Sequence, residues 1–122
     1  MTREDLLPEL TAWGADTEGA MDRMLDDLDF YIECIDAFMD SPSFKSLQHA
    51  IENRVVRPAF EAAHDIKGIT GTLGLTPMYK IACDMTEPLR AGTLEGAQER
   101  FEALSLRYSE LEALLRRCEA RA

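Results

Sequence analysis

The sequence of 122 residues predicts an all-α fold: an up-and-down antiparallel four-helix bundle with additional short N-terminal helices. Apolar residues recur with helical spacing almost throughout, and no strand-like alternation lasts for more than a few residues. Glycine, proline and capping residues interrupt this pattern, so that amphipathic segments follow one another through short connections. Helices that are joined by short connections pack as antiparallel neighbours.

Two short helices are expected within residues 1–28, where they would cap one end of the bundle. The first ends at Gly14, because glycine readily adopts the backbone conformation that stops a helix. The second follows Asp16, whose side chain is a good N-cap, and its apolar residues continue through Leu25 and Leu28.

The four bundle helices are expected within residues 30–119. Pro42 breaks the first of them, and Pro58 belongs to the first turn of the second, since proline in a first turn costs the helix no hydrogen bond. That helix ends before Gly74, the predicted C′ residue, and Thr93 is expected to cap the last helix. The expected helices are about 30–53, 55–73, 76–90 and 93–119.

Length and charge exclude several classes of protein. A chain of 122 residues buries one core, so residues 1–122 are expected to form a single domain. A net charge of −10 argues against nucleic acid as a partner, because no basic stripe could contact phosphates. The chain has neither a P-loop nor a dinucleotide fingerprint, so it is not expected to be a kinase. It has no membrane-spanning apolar run and no signal peptide, so neither membrane insertion nor export is expected, and the predicted location is cytoplasmic.

The cysteines and the C-terminal arginines have structural explanations. Cys34, Cys83 and Cys118 are odd in number and far apart, and each lies in an apolar helical pattern, so buried reduced thiols are predicted. Arginines near the end of the last helix complement its dipole; they are Arg116, Arg117 and Arg121.

The most informative segment contains a histidine, a lysine and glycines in the middle of a helix. Advancing by about 100° per residue places one stripe on the core, with Val56 at its edge. The core stripe is Ala59, Ala63, Ile66, Thr70 and Leu73. A second stripe, rotated by roughly a quarter turn, lies between core and solvent. It contains His64, Lys67, Gly68 and Gly71.

The glycines on this second stripe indicate a close approach to His64. Each glycine inside a helix costs about 1 kcal/mol relative to alanine, so stability alone does not explain them. Lys67 lies one turn beyond His64, where its ammonium can approach an anion on the ring. The alternative is a partly buried polar histidine, with the glycines serving helix–helix packing, which stays open for Gly71. A metal site lacks ligands at helical spacing, and no serine or cysteine is placed for a hydrolase triad.

The run H-D-I-K-G-I-T-G-T-L-G at residues 64–74 resembles the phosphorylation motif of bacterial histidine phosphotransfer (HPt) domains, H-x-L-K-G-x-x-x-x-x-G. Upstream, W-G-A-D-T-E-G-A-M-D-R at residues 13–23 resembles the W-G-[IV]-D-x-x-x-[AG] entry segment of many such domains, and residues 31–38 resemble the helix that follows it. The similarity extends from about Leu6 to the end of the chain. Met1 and the absence of linker sequence favour a free-standing HPt protein.

The resemblance implies a phosphoryl carrier of a two-component phosphorelay, not an enzyme that turns over by itself. His64 would accept a phosphoryl group from a receiver-domain aspartate and pass it to another, and Lys67 would stabilise the phosphoryl oxygens. Gly68 and Gly71 would let the receiver approach. Mg²⁺ is expected on the receiver, with no cofactor or metal bound by this chain. The expected docking surface also includes Phe60, Glu61, Leu75 and Met78.

The expected partners are receiver domains of a hybrid histidine kinase, of a response regulator, or of both, and the protein is expected to be a monomer. Two alternatives stay open: an HPt-like docking or adaptor module that binds receivers without phosphotransfer, and a helical adaptor in which His64 is incidental. A histidine-kinase dimerisation domain is disfavoured, because the H-E-[LIF]-[RK]-[TN]-P type of box is missing.

Overall fold

The computed structural model describes residues 1–121, and their regular structure is entirely helical. A 3-10 turn at Arg3–Asp5 precedes seven α-helices, and no strand occurs among these residues. The helices are α1 (Leu6–Trp13), α2 (Thr17–Arg23), α3 (Leu28–Met39), α4 (Ser43–Glu52), α5 (Val56–Thr72), α6 (Thr76–Arg90) and α7 (Ala97–Arg117).

Four helical legs form the bundle, and the first is α3 continued by α4. This leg is interrupted next to Pro42, as the sequence predicts, because proline cannot donate the hydrogen bond that would continue a helix. α5 packs against α4 and α6, and α7 packs against α6 and, less extensively, α4. Three residues connect α4 to α5, and three connect α5 to α6, so these neighbours are antiparallel. The predicted all-α bundle with short N-terminal helices is confirmed.

The C-terminus of α5 closes in a Schellman motif. Gly74 has φ +67° and is the C′ residue, as predicted. The amide of Leu75 donates to the carbonyl of Thr70 at 2.9 Å, and the amide of Gly74 donates to that of Gly71 at 3.3 Å. These bonds satisfy carbonyls that the helix leaves free, and they turn the chain sharply into α6.

The N-terminal helices are attached to this turn and to α7. Asp16 caps α2, as predicted, and accepts from the amide of Gly19 at 3.1 Å. The amide of Asp16 donates to the carbonyl of Gly74 at 2.8 Å. A Cβ atom on Gly74 would lie 2.3 Å from the carbonyl oxygen of Asp16, so glycine is required there for close approach as well as for its φ. The indole of Trp13 donates to Glu110 at 3.0 Å, which ties α1 to α7.

The core contains one polar link between the first leg and the end of α5. Tyr31 is fully buried, and its hydroxyl donates to the carbonyl of Leu73 at 2.6 Å. Burial raises the pKa of Tyr31 to about 12, because ionisation would place a charge in an apolar environment. The other large side chains that are fully buried are Leu6, Leu10, Ile35, Leu47, Ile66, Leu75, Met78, Met85, Leu104, Leu111 and Leu115.

The predicted extent of α2 is wrong. The helix ends at Arg23, and Leu25 and Asp26 adopt the left-handed conformation, with φ of 55° and 58°. Leu25 is therefore 87% exposed instead of lying on a helical apolar face. Asp27 accepts from the amide of Phe30 and caps α3, which begins at Leu28.

The predicted cap of the last helix is also wrong. α7 begins at Ala97, after Gly96 with φ +75°. The hydroxyl of Thr93 accepts from the amide of Glu95 at 3.1 Å, which stabilises a turn before the helix. Threonine can either cap a helix or stabilise a turn, and the path of the backbone from Thr93 to Gly96 decides for the turn.

The thiols are less buried than predicted. Cys118 is fully buried, whereas Cys34 and Cys83 are half-buried, and all three are unpaired with one another. Burial raises the pKa of the Cys118 thiol.

None of the helices in residues 1–121 is both long and apolar enough to span a bilayer.

Arg121 acts differently from the two arginines before it. Arg116 and Arg117 lie in the last turn of α7, where cations complement the dipole, as predicted. Arg121 lies beyond the helix, and its guanidinium donates to the carboxylates of Asp36 and Asp40. The hydrogen bond from Arg121 lowers the pKa of Asp40. This clasp ties the C-terminal segment to the first leg of the bundle.

Candidate functional site

The buried and exposed faces of α5 lie where the sequence places them. The core-stripe residues are at most 3% exposed, namely Ala59, Ala63, Ile66, Thr70 and Leu73. Val56 is half-buried at the edge of that stripe, and His64 is exposed. His64 is therefore held on a rigid helix whose opposite side is packed into the bundle.

Lys67 lies one turn after His64 and lines the same surface groove. Its side chain is half-buried, and no ion pair among residues 1–121 includes it. Residues three apart on a helix are neighbours, so its ammonium can approach a negatively charged group on the imidazole. A lysine in this position can stabilise an anion that forms on His64.

Gly68 and Gly71 differ in their surroundings. A Cβ atom at Gly68 would meet nothing within 4 Å, so no contact with residues 1–121 requires glycine there. At Gly71 a Cβ atom would lie 3.0 Å and 3.2 Å from ring carbons of Tyr79. Intramolecular packing therefore accounts for Gly71, whereas the space over Gly68 is open beside His64.

Two grooves flank His64. The first, of about 620 Å³, is called the cationic groove here and contains Arg23, Lys67 and Tyr79 beside the histidine. The second, of about 830 Å³, is called the apolar groove, and Met24, Cys34, Ala37, Ile69 and Leu73 line it beside the same histidine. His64 and Gly68 belong to both, so a partner that covers His64 meets charge on one side and apolar surface on the other.

Arg23 is a site residue that the sequence reasoning missed. Its Nε donates to the carbonyl of Thr72 at 2.8 Å, and its Nη2 donates to that of Gly71 at 3.1 Å. These carbonyls belong to the last turn of α5, where no further turn of helix supplies a donor, and that of Gly71 also accepts from the amide of Gly74. No sequence pattern reveals a pairing across 48 or 49 residues, and only the tertiary fold brings the arginine to the groove.

Phe60 and Glu61 lie at the surface one turn before His64. The ring centroids of Phe60 and His64 are 5.7 Å apart, and the guanidinium of Arg90 lies 5.5 Å from the Phe60 centroid. Glu61 accepts a hydrogen bond from Arg57 at 2.9 Å. Both positions are accessible to a partner, with Phe60 half-buried and Glu61 exposed.

The expectation that Leu75 and Met78 contribute to a docking surface is wrong. Both side chains are 0% exposed and belong to the core. The Schellman turn at Gly74 directs Leu75 inwards, and Met78 lies on the buried face of α6. Neither side chain can touch a partner while the bundle is folded.

The site offers a nucleophile and a cation without a cluster of metal ligands. Neutral imidazole is a good nucleophile near neutral pH, and a positioned ammonium stabilises anionic oxygens. No group of three or more histidine, cysteine, aspartate or glutamate side chains in residues 1–121 is arranged to hold a metal ion. The other histidine, His49, is exposed on α4 and lines neither groove.

A family model described as the Hpt domain matches residues 41–119, more than half of the chain. The match includes helices α4 to α7 and the segment from His64 to Gly71. No curated protein and no solved structure matches the chain. Hpt domains are phosphocarrier modules, not kinases, and they interact with receiver domains in two-component signalling. The chain belongs to the Hpt domain family.

Proposed function

We propose that this protein is a phosphorelay carrier that accepts a phosphoryl group from a receiver aspartate onto His64 and passes it to another receiver aspartate. The observation that carries the proposal is the exposed imidazole of His64 beside the open space over Gly68. A glycine that no contact within the described part of the chain requires, in the middle of a 17-residue helix, is explained by a partner that closes over the histidine.

The chemistry is a reversible displacement at phosphorus. A ring nitrogen of neutral His64 attacks the aspartyl phosphate in line, and a nitrogen–phosphorus bond forms. The bond between phosphorus and the aspartate oxygen breaks, and the carboxylate leaves with the electron pair. The other ring nitrogen keeps its proton. In the second transfer another aspartate carboxylate attacks phosphorus, the nitrogen–phosphorus bond breaks, and neutral imidazole leaves with the electron pair.

Lys67 would donate a charge-assisted hydrogen bond to the phosphoryl oxygens, in the ground state and while charge moves between nitrogen and carboxylate. No cofactor is assigned to this chain. Mg²⁺ would be held by the receiver, where carboxylate ligands and the phosphoryl oxygens coordinate it. The receivers of a hybrid kinase or response regulator, the cytoplasmic location and the monomeric state belong to the same proposal.

The first test of the proposal is direct phosphorylation by phosphoramidate, a small donor to histidine. Intact mass should show a single phosphate adduct that is acid-labile and stable in alkali. The adduct should be absent in His64→Gln and present in His49→Gln, the matched control at the other histidine, which is also exposed. Absence of the adduct in the folded wild-type protein would contradict the assignment of His64.

The second test measures transfer. The phosphorylated protein is mixed with purified receiver domains and Mg²⁺, and loss of phosphate from His64 is followed with its gain on the receiver. Rapid transfer to at least one receiver is expected. Receivers that bind without accepting or donating phosphate would instead support the docking or adaptor module.

A further inference from the structure

The last residue of α2 forms a fixed point of positive charge beside the site. Arg23 is exposed, yet two backbone carbonyls of α5 hold its guanidinium, those of Thr72 at 2.8 Å and Gly71 at 3.1 Å. Bonds from Nε and one Nη2 hydrogen leave the remaining donors of the planar group free. A side chain that is held in this way loses little conformational entropy when it contacts a partner.

Apart from Arg23 and Lys67, the electrostatic environment at the C-terminal end of α5 is unfavourable for an acidic partner. The C-terminus of α5 carries the negative end of the helix dipole, and the whole chain has a net charge of −10. Arg23 and Lys67 are the basic residues that line the cationic groove, and Asp16 is its acidic one. The carboxylate of Asp16 accepts from the Gly19 amide as the cap of α2. The groove is therefore a local positive surface on an acidic protein.

Arg23 and Lys67 lie at different distances from His64 along the axis of α5, so they have different roles. Gly71 and Thr72 lie seven and eight residues after His64, which corresponds to about 10–12 Å along a helix that rises 1.5 Å per residue. Lys67 is only about 4.5 Å along the same axis. Lys67 can thus reach a phosphoryl group on His64, whereas Arg23 faces the part of the partner that lies next to the reacting atoms.

We infer that Arg23 is a docking residue that contacts the acidic rim of the receiver domain, and this inference rests on the proposed function. A receiver that presents an aspartate and holds Mg²⁺ needs further carboxylates around that aspartate, because Mg²⁺ prefers oxygen ligands. This chain has a net charge of −10 and repels an acidic surface at long range, so a fixed cation at the edge of the contact increases the rate of productive encounter.

The test compares association of the receiver identified by phosphotransfer with wild-type protein, Arg23→Gln, Arg23→Lys and Arg117→Gln. The probe is that receiver with Mg²⁺ and beryllofluoride, which mimics the aspartyl phosphate. Arg117→Gln is the matched control, since it removes the same charge from an exposed position that lines neither groove beside His64. Association is measured by stopped flow between low and high salt, and each variant is also melted.

At low salt, Arg23→Gln should associate about three- to tenfold more slowly than wild type, and the difference should shrink at high salt, where exposed charges are screened. Arg23→Lys keeps the charge but cannot bond both carbonyls through a planar fork, so it should recover only part of the rate, and Arg117→Gln should stay close to wild type. Equal effects of Arg23→Gln and Arg117→Gln would overturn the inference. So would a slower association of Arg23→Gln that is independent of salt and accompanied by a lower Tm, which would mean that Arg23 only caps α5.

Failure of the inference is distinguishable from failure of the proposed function. Formation of phosphohistidine from phosphoramidate and transfer to the receiver are scored on wild-type protein before any Arg23 variant is compared. If transfer occurs and the Arg23 variants behave as the control does, the carrier function stands and the docking role falls.

Discussion

Replacing Gly68 by alanine tests whether this glycine serves the bundle or a partner. A Cβ atom at Gly68 would meet nothing within 4 Å, so the added methyl group causes no clash. Alanine is favoured over glycine inside a helix by about 0.8–1 kcal/mol, and part of this arises from the less flexible unfolded chain. Gly68→Ala should therefore raise the free energy of unfolding by about 1 kcal/mol, which corresponds to about 4 °C in Tm for a chain of this size.

Gly71→Ala is the matched control for this stability measurement. It gains the same helix propensity, but its Cβ atom would lie 3.0 Å from a ring carbon of Tyr79, which must shift. Its Tm should rise less than that of Gly68→Ala, or fall. Urea titrations and thermal melts followed by circular dichroism at 222 nm give both values. A lower Tm for Gly68→Ala would refute the conclusion that the space over this residue is open.

The same position should then separate stability from phosphotransfer. Gly68→Arg places a long side chain beside His64, and its Cβ atom would meet nothing within 4 Å, so the bundle should fold while transfer from a phosphorylated receiver slows by about 100-fold or more. Rates are measured in single-turnover mixing experiments with the receiver in excess. Wild-type transfer by a folded Gly68→Arg protein would remove close approach of the receiver as the reason for the glycine.

Two further predictions concern the pH dependence of stability. The pKa of Tyr31 is raised to about 12 in the folded protein, so its contribution to stability is fully present below the unfolded pKa of about 10 and is lost as pH rises towards 12. Tyr31→Phe breaks the hydrogen bond to Leu73, so it should lower the free energy of unfolding at pH 7 by about 1 kcal/mol and weaken the loss of stability at alkaline pH. Urea titrations across alkaline pH measure both effects, and an unchanged loss of stability at alkaline pH would contradict this prediction. The hydrogen bond from Arg121 lowers the pKa of Asp40, so the stability that this ion pair contributes is present above the unfolded pKa of about 3.9 and is lost as pH falls below it. The urea midpoint of Arg121→Gln should therefore be lower than that of wild type at pH 7, and the two midpoints should converge towards pH 2. A difference between the midpoints that does not change with pH would exclude the ion pair as its source.

The local sequence was sufficient to predict those features of the structure that depend on a single helix or a single turn. The buried stripe of α5 and the exposed position of His64 follow from the angular spacing of residues along a single helix. Gly74 as the C′ residue follows from the backbone freedom that a left-handed turn requires. Leu75 and Met78 were misplaced because they follow that turn, and the direction of the chain beyond it depends on how α6 packs.

Two other differences between the predicted and the observed structure also arise in turns whose direction depends on how the helices pack. The apolar pattern around Leu25 fits a continued helix, but the chain has to turn between α2 and α3, and Leu25 lies in that turn. Thr93 is chemically suited to cap a helix or to stabilise a turn, and the position of Gly96 in the folded chain decides for the turn. Propensity identifies residues that can end or begin a helix, but it does not choose among several candidates within a few positions.

The sequence by itself determined the helical bundle, the face that presents His64 and Lys67, and membership of a phosphocarrier family. The helices and the face of α5 depend on spacing within one segment at a time, since the rise and twist of a helix are local properties, whereas the family match extends over residues 41–119. Only the tertiary structure decided that Gly71 packs on Tyr79 while Gly68 faces open space, and that Arg23 reaches the carbonyls at the end of α5. These contacts join residues that are distant in the chain or on different helices, so they depend on how whole helices pack, which no local pattern encodes.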